Sequence, residues 1–300
     1  MRIAVSGSTG MIGAALVARL VEQGHVILRL VRSEPPPGSP DIRWDPTSGE
    51  FDTARLEGIN AVVHLSGESI VGRWTSEKKA QVRDSRIVSA RVLCEALGKL
   101  EDPPGVLVSA SATGYYGDRG DELLTEDSFP GTGFLADLCR DWEAATEPAA
   151  NRGVRVANTR FGVVLSRSGG MIQRALPMFR MGVGGMLGSG DQYMSWVAID
   201  DLIRALDYVI SDSALRGPVN VVSPNPVTNR EFTKALSKVL SRPAPFVLPA
   251  FALRLAYGEM ADETFLSSAR VLPARLSASG FEFAHPDLVP ALSYVLGMQC

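Results

Sequence analysis

Short apolar runs alternate with stretches of helical periodicity along the first two thirds of this chain. The run from Met1 to Ser6, with Ile3-Ala4-Val5 at its centre, reads as a buried strand and ends at a glycine. From Met11 to Gln23 the apolar residues Ile12, Leu16 and Leu20 recur at the spacing of one helix face, and Gly24 stops the pattern. Val26 to Val31 repeats the strand signal, as do Ala61 to Leu65, Val106 to Val108, Val154 to Thr159 and Val219 to Val222. Helical patterns over Ser76 to Leu100, Phe134 to Ala150 and Asp200 to Ile210 fall between them. Strands alternating with helices predict right-handed βαβ units and an α/β fold whose parallel sheet is covered on both faces.

The last third differs. Thr228 to Leu240 reads as a helix, Pro243 to Pro249 as a short extended stretch, and the chain from Thr264 onward as helix and loop broken by Pro273, Pro286 and Pro290. This predicts a smaller, mostly helical lobe. Pro35-Pro36-Pro37-Gly38 marks a surface loop after the second strand.

Composition narrows the function classes. The chain has 300 residues, 45% hydrophobic and 21% charged, with a net charge of −3. A general nucleic-acid binder would carry a basic stripe, and here the arginines are scattered. The three cysteines, Cys94, Cys139 and Cys300, and the three histidines, His25, His64 and His285, are too dispersed for a disulfide framework or a zinc site. No apolar stretch has the length of a membrane span, and no signal peptide opens the chain. A cytoplasmic setting is the expectation.

The strongest motif is Gly7-Ser8-Thr9-Gly10-Met11-Ile12-Gly13, set between the first strand and the first helix. A chain that turns sharply, lets its backbone approach a diphosphate and then packs a helix tightly on a strand needs residues without a Cβ. The free N–H groups at the helix start suit an anion. The spacing is GxxGxxG, and its context points to a dinucleotide. Sites for NAD usually place an acid after the second strand to bond the ribose 2′-hydroxyl. Here Val31 is followed by Arg32 and Ser33, and Arg32 lies 19 residues beyond Gly13. A guanidinium forks onto a 2′-phosphate, so NADP(H) is expected over NAD(H), with Glu34 nearby complicating the choice.

With these motifs in place, the chain resembles the extended short-chain dehydrogenase/reductase superfamily, and within it the atypical, epimerase-like subfamily that carries its own short C-terminal domain. The matching segments span the chain: Gly7 to Gly13, Leu65-Ser66-Gly67-Glu68, Arg73-Trp74, Asp84-Ser85-Arg86, Ser109 to Gly117, Phe134-Leu135-Ala136, Trp142-Glu143, Arg160 to Leu165, Gly188-Ser189-Gly190, Trp196 to Asp201 and Gly258 to Asp262. The resemblance implies a Rossmann-type doubly wound sheet of about seven strands with the cofactor across the switch in strand order. It divides the chain into an NADP-binding domain at 1–222, with a substrate-loop insertion at about 166–195, and a substrate or lid domain at 223–300. It implies that Leu65, Ser66 and Gly67 line the cofactor. Gln81, Arg86, Ser109 and Arg160 join Gly7, Thr9, Gly10, Met11, Ile12, Gly13, Val31, Arg32 and Ser33 as expected cofactor contacts. Surface pairing of Arg86 with Asp84 or Glu77 is the alternative for that residue. A homodimer through the long helices is a further expectation from the superfamily.

The catalytic pattern departs from the family. Active relatives carry a Tyr and a Lys spaced YxxxK; counting back from Glu143 puts Leu135 and Cys139 at those positions, and no lysine occurs between Lys99 and Lys234. A tyrosine without a neighbouring cation, with pKa about 10, is ionised to roughly one part in a thousand at pH 7. Ser111 is retained where relatives hold their catalytic serine, and Tyr115 and Tyr116 follow as candidate proton donors, with packing on the sheet rim as the alternative. His64, inside an apolar strand, reads as a core histidine. Asp200 is a candidate helix cap. Five glycines between Gly182 and Gly190 suggest a lid or a backbone-contact loop, and Met178, Met181, Met186 and Trp196 either an adaptable apolar pocket or lobe packing. Two functions stand side by side: an oxidoreductase or nucleotide-sugar-epimerase-like enzyme with a non-standard acid-base set acting on a small molecule, or a non-catalytic NADP(H)-binding sensor or scaffold. A serine hydrolase would need a GxSxG elbow, which the chain lacks.

Overall fold

The computed structural model describes residues 1–46 and 50–298, so Cys300 lies outside the described residues. One sheet is built from β1 (Arg2–Ser6), β2 (Val26–Val31), β3 (Ile42–Asp45), β4 (Glu50–Phe51), β5 (Ala61–His64), β6 (Val106–Ala112), β7 (Arg155–Phe161) and β8 (Gly217–Val221). Its order is β8-β7-β6-β5-β1-β2-β3-β4. Seven strands run parallel, as expected, and the two-residue β4 pairs antiparallel with β3 at the edge. The chain leaves β1 toward β2 and β3, then returns to β5 on the other side of β1. That reversal opens a crevice at the carboxyl ends of β1 and β5, where ligands of such sheets bind.

The period-two pattern of β1 serves two cores. Ile3 and Val5 face α1 (Met11–Glu22) and α6 (Ile199–Ser211) with Leu16, Leu20, Leu202 and Leu206. Ala4 faces the other way, with Val62, Leu93, Leu97 and Leu107, under α2 (Ser76–Leu97). The helix α3 (Phe134–Ala144) packs its Leu138 and Trp142 on Val82 and Ala90 of α2.

The helix predicted over Phe134 to Ala150 is two helices, because α3 ends at Ala144 and α4 (Glu147–Ala150) follows. Pro148 is the cause: its ring collides with the carbonyl four residues back, which belongs to Ala144. The strand β3 and the helix α5 (Gly170–Arg180) were not anticipated. Pro177 sits inside α5 and glycines flank it, which hid its apolar face (Ile172, Leu176 and Phe179 are buried).

The C-terminal chain contributes α7 (Asn229–Leu240), α8 (Ala250–Tyr257), a wide helical turn at Ala261–Phe265, α9 (Ala274–Ala278) and α10 (Leu288–Leu296). A reciprocal box starts α7: Thr228 Oγ1 accepts from the Glu231 N–H at 3.2 Å, and the Glu231 carboxylate accepts from the Thr228 N–H at 2.7 Å. Leu165, Ile172, Leu176, Phe179 and Trp196 form one apolar cluster with Phe232, Leu236, Leu292 and Leu296. Gly182 to Gly190 holds a short strand, Gly185–Leu187, paired parallel with Phe246–Leu248; a Cβ on Gly185 would overlap the Phe246 carbonyl. Asp200 does not cap α6, whose first residue is preceded by Ala198 in extended conformation. Its neighbour Asp201 is 1% exposed and accepts from the Ala284 and His285 amides at 2.8 Å each, tying the C-terminal chain to α6.

Candidate functional site

The glycine turn is held by contacts that a side chain would break. Gly7 has φ +67°, and a Cβ there would lie 2.7 Å from the Leu65 backbone; a Cβ on Gly13 would overlap the Gly7 carbonyl. Both glycines therefore serve packing between β1, β5 and α1. Gly10 is different: a Cβ there would meet only the Gly7 oxygen, at 3.3 Å. Gly10 starts α1, no side chain caps that helix, and its first turn carries no acid. The free amides of the turn and the positive end of the helix dipole are thus left for an anion.

From this turn runs a cleft of about 680 Å³, in the size range of small-molecule sites. Gly7, Gly10, Met11, Ile12, Gly13, Leu65, Ser66, Gly67, Arg86 and Ser111 all line it. So do Leu135 and Cys139, the residues standing at the Tyr and Lys positions. Burial pushes the Cys139 thiol up to about 12, with the Glu143 carboxylate adding to the shift, so it offers no thiolate near neutrality. The methionines on the wall are Met11, Met171 and Met194, not the predicted Met178, Met181 and Met186. Met178 and Met181 are exposed, and Trp196 is a core residue whose indole donates to the Asn225 carbonyl at 3.0 Å.

Thr9, Val31, Arg32 and Ser33 lie outside the wall of this cleft. Thr9, Arg32 and Ser33 are exposed, in the turns that follow β1 and β2. Arg32 makes no ion pair among the described residues, whereas Glu34 is engaged by Arg43 at 3.2 Å.

Five expected site residues are placed elsewhere. Gln81 is exposed on α2 and reaches Glu77 at 3.4 Å, because it sits on the face of the helix turned from the sheet. Ser109 is buried inside β6, with its carbonyl accepting from Thr159 Oγ1 at 3.0 Å. Arg160 is 2% exposed and forks onto Glu143, at 2.7 Å from Nε and 2.8 Å from Nη2. Tyr116 is fully buried, accepts from Arg160 Nη1 at 2.9 Å and donates to Asn220 Oδ1 at 2.7 Å. Burial pushes its phenol up to about 12, against the pull of Arg160. Tyr115 stacks its ring 3.4 Å from the Arg160 guanidinium instead of facing the cleft. The two tyrosines are therefore sheet-rim packing, and Ser111 alone of the three catalytic candidates meets the cleft.

Ser111 donates to Glu143 Oε1 at 2.7 Å. Its proton is committed to that carboxylate, which leaves its lone pairs to accept from a ligand. His64 is a core histidine, bonded through Nδ1 to Ser6 Oγ at 2.7 Å and through Nε2 to Ser89 Oγ at 3.1 Å; burial lowers its pKa to about 4. Arg86 bonds neither Asp84 nor Glu77. Its Nη1 donates to the carbonyls of Glu68 and Val82, and desolvation lowers its pKa.

Glu263 was not foreseen as a site residue. It comes from the turn after α8, lines the cleft, and accepts from the Phe134 and Leu135 amides at 2.8 and 2.7 Å, capping α3 across the fold. Glu143 appeared only within a motif, and nothing local marked it as the partner of Ser111. Among the described residues no group of three or more acids, cysteines and histidines gathers to hold a metal, and no helix is long and apolar enough to cross a membrane.

Comparison with known proteins accounts for this architecture. The profile of the NAD dependent epimerase/dehydratase family matches residues 3–222. The chain belongs to that family. A domain of unknown function matches residues 248–295, the C-terminal addition that marks its epimerase-like, atypical branch. An epimerase family protein of Mycobacterium bovis is 46% identical over 293 residues, covering 97% of this chain and 96% of the relative. The human epimerase family protein SDR39U1, whose crystal structure contains NADPH, superposes with a TM-score of 0.91 at 32% identity over 99% of both chains. A nucleoside-diphosphate sugar epimerase from Corynebacterium glutamicum superposes at 0.82 with 38% identity; the match covers 99% of this family member and 58% of that chain.

Proposed function

We propose that this protein binds NADP(H) along the cleft and works as an oxidoreductase or epimerase-like enzyme on a small molecule. The observation that carries the reading is the uncapped start of α1 at Gly10, which opens into a ligand-sized cleft floored by Leu65, Ser66 and Gly67. The fit is good: amides and a helix dipole for the diphosphate, a bare Gly10 for close approach, and an exposed Arg32 after β2, without an ion pair among the described residues, for a 2′-phosphate. The NADPH in the human relative supports the same choice of cofactor. The cofactor supplies a hydride donor or acceptor when bound.

What the chain itself adds is proton handling and exclusion of water. Leu135 and Cys139 replace the Tyr–Lys pair, so neither of those positions provides an acid or a base near neutral pH. Ser111, its proton held by Glu143, is the polar group that accepts from a substrate hydroxyl. A nucleotide-linked substrate is suggested by the name of the Corynebacterium relative. The apolar pair at 135 and 139 favours a second reading, a non-catalytic NADP(H) sensor or scaffold.

The test is a titration of NADPH and NADH on wild type and Arg32→Asp, followed by NADPH consumption with a panel of carbonyl compounds. Tighter binding of NADPH, lost in the variant, supports the cofactor reading. Binding of neither nucleotide overturns it. Binding without turnover on any carbonyl favours the sensor.

A further inference from the structure

Exposed apolar side chains are ordinary when scattered over a protein surface and informative when gathered. Eight of the sixteen large apolar side chains exposed among the described residues fall in two short segments, 178–183 and 246–255. The fold joins these segments. The strand Gly185–Leu187 pairs with Phe246–Leu248, Arg242 Nε donates to the Arg180 carbonyl at 3.3 Å, and a Cβ on Gly182 would lie 3.6 Å from the Pro243 ring. Met181, Phe251 and Leu255 stand out most, at 66%, 71% and 76% exposed. None of the eight lines the cleft.

The shape is a ridge. Successive side chains of a strand point to opposite faces, yet Phe246, Val247 and Leu248 are all exposed, so this strand has no core on either side. Pro245 and Pro249 bracket it. Neither can donate a backbone N–H, so the free edge ends after three residues and offers little template for a further strand. Phe251 and Leu255 follow, one turn apart on α8.

The charge along these segments has one sign. Residues 170–190 and 232–258 hold six lysines and arginines and none of the chain's 33 acids. Arg174 stands one turn before Met178 on α5, Lys234 one turn before Lys238 on α7, and Arg254 beside Leu255 on α8. Arg180 and Arg242 meet where the segments join. All six are exposed, and of them only Arg254 makes an ion pair among the described residues, with Asp262 at 2.8 Å. A chain of net charge −3 thus presents one apolar, cationic face.

That combination selects the occupant. A second copy docked on the same patch would set these cations against themselves. A protein partner held by strand addition needs a longer free edge, and one held as a helix needs a groove where this face has a ridge. A bilayer needs no matching shape: apolar side chains enter the boundary of the acyl region while lysines and arginines meet anionic headgroups. We propose that this face docks the protein on a bilayer that carries anionic lipids, with Met181, Phe246, Phe251 and Leu255 as the inserting side chains. The contact is with a surface, since no helix among the described residues is long and apolar enough to cross a membrane. It stands independently of the cofactor reading.

The experiment is sedimentation of the full chain with vesicles of phosphatidylcholine and phosphatidylglycerol in equal parts, and with vesicles of phosphatidylcholine alone. Wild type is compared with the double variants Phe251→Ser with Leu255→Ser and Lys234→Glu with Lys238→Glu. Melting curves check folding, and an NADPH titration checks the cleft. Wild type should bind the anionic vesicles at least about tenfold more tightly than the neutral ones, and raised salt should weaken that binding. Each double variant should lose about tenfold or more on anionic vesicles while its NADPH affinity stays within about twofold of wild type. Wild type that fails to sediment with anionic vesicles, or sediments equally with both kinds, overturns the proposal; the first result leaves an acidic protein as the occupant. Unchanged vesicle binding by both variants also overturns it. So does a wild-type dimer, seen by light scattering, that Phe251→Ser with Leu255→Ser turns into a monomer, because the face then belongs to a second copy. If one double variant does not fold, the other decides by the same criterion.

Discussion

Arg160 and Glu143 are a buried ion pair whose side chains are 3% and 13% exposed, joined by two short bonds and extended through Tyr116 to Asn220. Such a pair adds little net stability when intact, yet removing one partner strands a charge in low dielectric. Arg160→Met should therefore lower the unfolding free energy by about 3–5 kcal/mol in urea titrations. Ser111→Ala removes a single bond from the same carboxylate and should cost about 1 kcal/mol. Equal costs for the two would mean that water reaches Glu143. His64 makes a separate prediction in pH. Its folded pKa of about 4 lies below the ordinary value of 6.5, so the unfolded chain binds its proton first as pH falls. The stability tied to the neutral ring is complete above pH 6.5 and drains away between 6.5 and 4, at up to about 1.4 kcal/mol per pH unit. Unfolding curves of wild type and His64→Gln across pH 7.5 to 4.5 should show a shallower fall for the variant; parallel curves would mean the ring stays protonatable in the fold.

At the scale of elements, the strand-turn-helix of β1 and α1 combines two kinds of glycine, and substitution should separate them. Gly13→Ala forces α1 off the Gly7 carbonyl and should lower the melting temperature as well as NADPH affinity. Gly10→Ala meets only one oxygen at 3.3 Å, so its melting temperature should stay near wild type while NADPH binding weakens. A melting loss for Gly10→Ala as large as for Gly13→Ala would show that the whole turn is architecture. This element was legible in the sequence because its demands are local: three glycines, a strand before them, a helix after. The Ser111 to Glu143 bond was not, since 32 residues separate its partners and only the sheet brings them together. Tyr116 and Arg160 misled for the same reason. Both residues fit a cleft by type and position, but Arg160 on β7 turns to Glu143 of α3, and Tyr116, in the turn after β6, turns to Arg160 and Asn220. Glu263 lay further still from local reading: its partners are the amides of Phe134 and Leu135, 129 and 128 residues away. Losing that cap should free the start of α3. In Glu263→Ala, hydrogen exchange at those two amides should accelerate at least about tenfold, as expected for a charged cap worth ~1 kcal/mol or more. Unchanged exchange would mean that the amides find another acceptor.

For the whole molecule, the question is whether the first 222 residues stand alone. The family profile ends at residue 222, and the alternation of strands and helices ends there as well. Packing draws the line elsewhere. Leu165, Ile172, Leu176, Phe179 and Trp196 belong to the first part, yet the apolar surface that covers them comes from Phe232, Leu236, Leu292 and Leu296. The Asp201 carboxylate, 1% exposed, accepts from the Ala284 and His285 amides as well as from Arg204, so cutting the chain removes two of its donors and uncovers an apolar face. Burying each large aliphatic side chain is worth about 1.5–3 kcal/mol, and a domain's whole stability is only about 5–15 kcal/mol. Uncovering five such residues together uses up that margin. A chain cut after Ser223 is expected to bind an apolar dye and to melt without a cooperative transition. The full chain with Leu292→Ala should still melt cooperatively, but about 2–5 kcal/mol less stable, as a cavity at a fully buried leucine requires. A truncated chain that melts cooperatively and binds NADPH like wild type would instead show that residues 1–223 repack into an independent unit, with the C-terminal chain serving the substrate side of the cleft alone.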